Sequence, residues 1–167
     1  MNRASAKSKR ILAIDPTSRG FGFAVLEGPE RLIDWGVVQV RGDRHRRCLA
    51  RVDDLLEVYR PDIAIIEDLS RNRRRPTRVK KLLEAIRHLA AEKRIVSRRV
   101  SKAQVQRTFA KFGGTIKHEI AAAVAKRFPE LSPRLPPRRK LWMSEAETMA
   151  VFDAVAFAST FFKIGEN

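Results

Sequence analysis

The sequence is poor in several things that would let it be another kind of protein. It has one cysteine, Cys48, which excludes an internal disulfide framework and any multi-cysteine zinc site. A reducing compartment, the cytoplasm, is the expected location. No apolar run approaches the roughly 20 residues of a membrane span. The apolar stretch 11–14 behind the basic N-terminus stops at Asp15, too short for a signal-peptide core. Acid is scarce as well: 19 Asp and Glu stand against 35 Lys and Arg, a net charge of +16. With no span to anchor, such a charge points to nucleic acid. An anionic membrane surface would call for a basic amphipathic helix with Trp, Phe and Leu opposite the charges. The densest basic run, residues 71–78, has no such face, so no membrane partner is expected.

What is present is one domain's worth of core. At 167 residues and 44% apolar content, a chain of this size buries about 70% of its unfolded surface without staples. Residues 1–9 read as a mobile basic leader and 10–167 as a single domain. Runs at 10–15, 20–26 and 32–40 read as three strands joined by short turns. Leu49, Val52, Leu55, Leu56 and Tyr59 at helical spacing predict a helix over 44–59, stopped by Arg60-Pro61. Residues 62–67 form a short apolar run reached through that helix, hence a strand parallel to the first. A basic loop (70–77), a helix (79–93) and a fifth strand (95–100) follow. Ser101 and Thr115 are expected to cap helices on either side of the Gly113-Gly114 break. A proline-rich connector spans 129–139, and Ser144 is expected to open the last helix. The order βββαβαβααα predicts an α/β domain with a mixed five-stranded sheet flanked by helices.

Three acids stand where acids are expensive. Asp15 and Glu67 each end an apolar strand, at the edge where ligand sites of open α/β sheets gather. Asp153 lies inside an apolar helix beside Phe152 and Ala154. Each has an ordinary explanation: a turn acid before Pro16, an Arg partner for Glu67, a basic or helical partner for Asp153. Together, on so basic a chain, they suggest a divalent metal held by hard oxygen donors.

These residues resemble the RuvC-type Holliday junction resolvases of the ribonuclease H-like superfamily. Ile14-Asp15-Pro16-Thr17-Ser18-Arg19 is similar to that family's Ile-Asp-Pro-Gly-Ser-Arg, with Gly22 seven residues after the acid. The strand ending at Glu67 resembles the one that carries the second catalytic acid. Asp153-Ala154-Val155-Ala156 resembles the family's Asp-Ala-Leu-Ala, and Lys117 matches a lysine near the scissile phosphate. The resemblance implies a ribonuclease H-like fold and a Mg²⁺-dependent endonuclease acting on four-way or branched DNA. It further implies two Mg²⁺ ions, replaceable by Mn²⁺, with Asp15 bridging them and Glu67 and Asp153 each completing one site. Subunits of the family pair through helices, so a homodimer is possible here through the apolar faces of residues 82–90 or of the last helix.

Departures from the family pattern shape the remaining expectations. Ala150 stands where the family carries a fourth acid. Glu147 is the substitute ligand, yet Ser144-Glu145-Ala146-Glu147 is also a capping-box pattern that explains Glu147 without metal. Thr17 replaces the motif glycine. Arg71, Arg73, Arg74, Arg75 and Arg78 follow Glu67 in place of an aromatic wedge, predicting phosphate grip, to which Arg19 would add. Gln106 occupies the neighbourhood of a second family lysine, leaving Lys102 or Arg107 to supply that charge. Trp35, Trp142 and Phe162 read as packing residues, although Trp142 beside Arg138-Arg139-Lys140 is also placed to stack on a base. Two other readings stay open: a nuclease for RNA or an RNA·DNA hybrid, and a nucleic-acid-binding module without catalysis.

Overall fold

The three leading apolar runs fold as the antiparallel meander their pattern predicts, in a computed structural model that describes residues 7–165. They are β1 (Arg10–Pro16), β2 (Gly20–Glu27) and β3 (Arg31–Gln39). Residues 1–6 of the expected leader lie outside the described residues; Lys9 is tied to the fold, its carbonyl accepting from Gly28 N–H at 3.0 Å. Thr17, the motif's departure, builds the first turn. Its backbone N–H donates to the Gly20 carbonyl at 2.9 Å, and its hydroxyl accepts from Gly20 N–H at 3.0 Å.

Helix α1 (Arg44–Tyr59) is capped by Asp43, whose side chain accepts from Arg46 N–H, and ends at Arg60 in a left-handed conformation. It leads into β4 (Ile63–Glu67), which pairs parallel with β1. Helix α2 (Thr77–Glu92) returns the chain to β5 (Val96–Val100), parallel to β4. The sheet order is β3-β2-β1-β4-β5. Both faces of β1 are covered, which is why residues 11–15 read as an unbroken buried run rather than an alternating one. Leu12, Ile14 and Ile66 pack under α1 and α2. Ile11, Ala13, Ile63 and Ile65 face the other side, against α3 (Lys102–Ala110), α4 (Lys117–Arg127) and α5 (Met149–Gly165).

Three expectations change at the second set of helices. Thr115 does not cap α4: the N-cap is Ile116, which has no acceptor, and the Glu119 carboxylate reaches back to Thr115 N–H, Thr115 Oγ1 and Ile116 N–H instead. The connector contains a 3-10 helix over Pro129–Arg134. The last helix begins at Met149, not Ser144. The faces considered for dimer contact are used inside the chain, since Leu82, Leu83, Ile86 and Ala90 are buried, as are the α5 residues around Phe152 and Phe157.

Candidate active site

Strand alternation decides where the first two acids point. Asp15 shares its parity with Ile11 and Ala13, and Glu67 with Ile63 and Ile65, so both face the α5 side of the sheet. The β1–β4 register pairs Ala13 with Ile65, and beyond it Arg75 Nη2 lies within 4 Å of both Asp15 and Glu67. Both are buried, Asp15 at 5% exposure and Glu67 at 2%. Helix α5 lies across this face, and of its residues 149–160 all but Asp153 are buried. That single half-buried position opens onto the same cleft, a cavity of about 250 Å³ that Asp15, Lys102, Lys117, Glu145 and Glu147 also line.

The chain's own cations already engage these carboxylates. Arg75 Nη2 donates to Glu67 Oε2 at 2.6 Å and lies 3.6 Å from Asp15 Oδ1. Lys102 Nζ is 3.8 Å from Glu67 Oε1. Lys117 Nζ lies 2.9 Å from Asp153 Oδ2 and is also bonded to Glu145. The basic partners considered for Glu67 and Asp153 are therefore real, and they sit in the same cleft as the acids. Lys102 and Lys117 each open a helix, where unpaired N–H groups and the helix dipole add to the attraction for an anion. Ser101 and Gln104 hold the α3 terminus by reciprocal capping bonds of 3.1 and 2.8 Å.

Burial and crowding shift these groups. Desolvation, then the charge of Asp153, holds the Asp15 carboxyl well above the ordinary carboxylate range, and Lys117 only partly offsets this. Desolvation also raises Asp153 against the pull of Lys117. Burial opposes the charge on Lys117, but Asp153 and Glu145 outweigh it and raise the ammonium's pKa. Asp15 Oδ1 is buried and accepts no hydrogen bond. Arg75, 3.6 Å away, stands beyond hydrogen-bond distance of it.

A divalent ion fits the chemistry of this set. The donors are hard carboxylate oxygens from three different elements, and one of them is unsatisfied. Among the described residues, however, no three acidic or histidine side chains converge tightly enough to hold a metal as they stand. Arg75 and Lys117 occupy oxygens of Glu67 and Asp153.

The other expected residues are dispersed. Arg71, Arg73 and Arg74 are exposed on the β4–α2 loop. Arg78 Nη1 reaches the Ser18 carbonyl at 3.4 Å. Arg19 is 3.7 Å from Glu147, which lines the cleft from a turn rather than a capping box. Arg107 is exposed on α3 and does not line the cleft, whereas Lys102 does. Trp142 is not a packing residue: it is 80% exposed, with Lys140 Nζ 5.3 Å from its ring centroid. His118 is bonded to the Pro136 carbonyl at 3.1 Å and braces the connector. Sequence reasoning missed the groove lined by Arg19, Arg41, Arg44, Arg47 and Arg51. The signal was there, since residues 44, 47 and 51 share one face of a helix.

No protein-family model matches this chain, and no curated protein matches it. Solved structures do. A Thermus thermophilus RuvC structure is 24% identical with a TM-score of 0.68, over 93% of this chain and 96% of that one. T. thermophilus RuvC in complex with Holliday junction substrate is 22% identical, with a TM-score of 0.69 over 95% and 96%. The yeast mitochondrial Holliday junction resolvase is more distant, at 15% identity and a TM-score of 0.51 over 94% and 79%. The likeness extends over nearly the whole chain, so this protein has the fold of these RuvC structures.

Proposed function

We propose that the protein is a metal-dependent endonuclease that cuts four-way or branched DNA. The observation that carries this reading is that Asp15 and Asp153 line one cleft, with buried Glu67 joined to it through Arg75 and Lys102, beside two helix-opening lysines, on a fold shared with a resolvase solved on junction DNA. Mg²⁺ held by Asp15, Glu67 and Asp153, with Mn²⁺ as its substitute, would activate the attacking water and stabilise the leaving 3′ oxygen. Glu147, and Glu145 two residues before it, are the remaining carboxylates in reach, since position 150 is alanine. Lys117, once released from Asp153, neutralises charge on the scissile phosphate, and Lys102 does the same from α3. The exposed arginines of the β4–α2 loop and the α1 groove grip the flanking backbone. Two such sites acting on opposite strands would require a dimer on the junction.

Labelled four-way junction, linear duplex and RNA·DNA hybrid, each incubated with Mg²⁺, Mn²⁺ or EDTA, test the reading. Symmetric junction nicks that vanish in EDTA are expected. Preferential cutting of the hybrid would move the substrate to RNA·DNA, and salt-sensitive binding without cutting in either metal would leave a binding module. The grip is tested separately by replacing Arg71, Arg73 and Arg74 with Gln. The plot of log affinity against log salt is expected to become shallower by about 0.9 for each phosphate that is no longer neutralised. An unchanged slope would place the DNA elsewhere.

A further inference from the structure

Arg75 differs from the other arginines of its loop. Arg71, Arg73 and Arg74 are exposed, whereas the Arg75 side chain is only 22% exposed and turns into the cleft. Its guanidinium makes one hydrogen bond there, 2.6 Å to Glu67 Oε2, and stands 3.6 Å from Asp15 Oδ1. The pairing is incomplete on both sides. Arg75 Nε is buried and donates to nothing, and Asp15 Oδ1 is buried and accepts nothing. Arginine–carboxylate pairs frequently close as two-bond forks, and this one does not. Here the guanidinium is held by that single bond and by charge, on a loop whose start is tied to β5 by Asp68 N–H donating to the Val100 carbonyl at 2.9 Å. Among the described residues, the only other cation within 4 Å of Glu67 is Lys102, at 3.8 Å.

From this geometry we propose that Arg75 is a displaceable counter-ion of the Asp15–Glu67 pair and sets the affinity of the site for a divalent cation. The inference rests on the metal-nuclease reading. Glu67 Oε2 cannot both accept the Arg75 hydrogen bond and ligate a metal through the same lone pair, so the two cations compete for it. A dication offers the pair more charge, and the displaced guanidinium, already beside the cleft, is then free to take a DNA phosphate. Arg75 is thus a positioning residue whose effect is read first in metal affinity.

The test is calorimetric titration of the full chain with Mn²⁺, comparing wild type with Arg75→Gln and Arg75→Lys. Arg75→Gln is expected to bind Mn²⁺ about 10-fold more tightly, the scale on which groups around a metal site act. Arg75→Lys, which keeps the charge without the planar reach, is expected to fall between the two. Mn²⁺ is also expected to raise the melting temperature of Arg75→Gln more than that of wild type. Should Arg75→Gln be unfolded in EDTA, Mn²⁺ is expected to refold it by replacing the missing countercharge, and failure to refold would overturn the proposal. Equal or weaker Mn²⁺ binding by a folded Arg75→Gln would overturn it while leaving the nuclease reading intact. Absence of Mn²⁺ binding in wild type and both variants would overturn the two together.

Discussion

Asp15→Asn is expected to lower junction cleavage by a factor of about a thousand or more and, in the same protein, to raise thermal stability in EDTA. The loss of activity follows from removing the carboxylate that stands between the other two acids, which is worth several kcal/mol if metal-borne charge stabilisation is lost. The gain in stability follows from burial. Desolvation and the charge of Asp153 raise the Asp15 pKa well above its ordinary value of 3.8. The folded state therefore holds this proton more tightly than the unfolded chain. The group costs nothing below its unfolded value; the penalty grows as pH rises from that value to the raised one and levels off above it. Asparagine removes it. Melting curves at pH 7 are expected to show a rise of about 2–4 °C, the shift that ~1 kcal/mol produces in a domain of this size. The difference between the proteins is expected to shrink as pH falls towards the ordinary carboxylate range. A variant that kept wild-type cleavage would remove Asp15 from the machinery, and one that melted lower at pH 7 would show its charge to be fully compensated.

Gly22→Ala is expected to carry a large cost to folding. Gly22 lies opposite Asp15 in the β1–β2 ladder, and a Cβ placed there would stand 2.5 Å from both the carbonyl carbon and the Cβ of Ala150. Most of the clash is with helix backbone, so no rotamer relieves it. Helix α5 would have to lift off the sheet, and overpacking of this kind costs about 3 kcal/mol at the upper end of the usual range. Asp153 travels with α5, so cleavage per folded molecule is expected to fall as well. Chemical denaturation and cleavage rates on the same preparation would separate the two effects. A variant as stable as wild type would mean that α5 is free to shift, and that its closeness to β2 is not what sets the place of Asp153. The same close approach accounts for the small residue at position 150, whose Cβ is directed at β2 and is buried at 4% exposure.

Not all local signals survived. The capping-box pattern at residues 144–147 is a real local preference, worth about 1 kcal/mol. It lost to partners far away in the chain: Lys117 takes Glu145 and Arg19 is paired with Glu147. The faces considered for a dimer are a related case, since residues of both pack within the chain. An apolar stripe shows that something covers it, not whether that cover is a second copy or the same chain. The exposure of Trp142 was one of two readings, because aromatic composition alone does not separate core from loop and only the adjacent Arg138-Arg139-Lys140 pointed to solvent.

The sequence by itself determined the strand and helix order, the placing of Asp15 and Glu67 at strand ends, and the basic character of the surface. Each follows from period, turn chemistry or composition, which are properties of near neighbours along the chain. Only the tertiary structure decided that Arg75 turns inward while Arg71, Arg73 and Arg74 stay in solvent, that Lys102 rather than Arg107 lies near the acids, and that α5 rests on Gly22. Those outcomes depend on which desolvated charges meet across the cleft and how closely two backbones approach, and both are set by residues far apart in sequence.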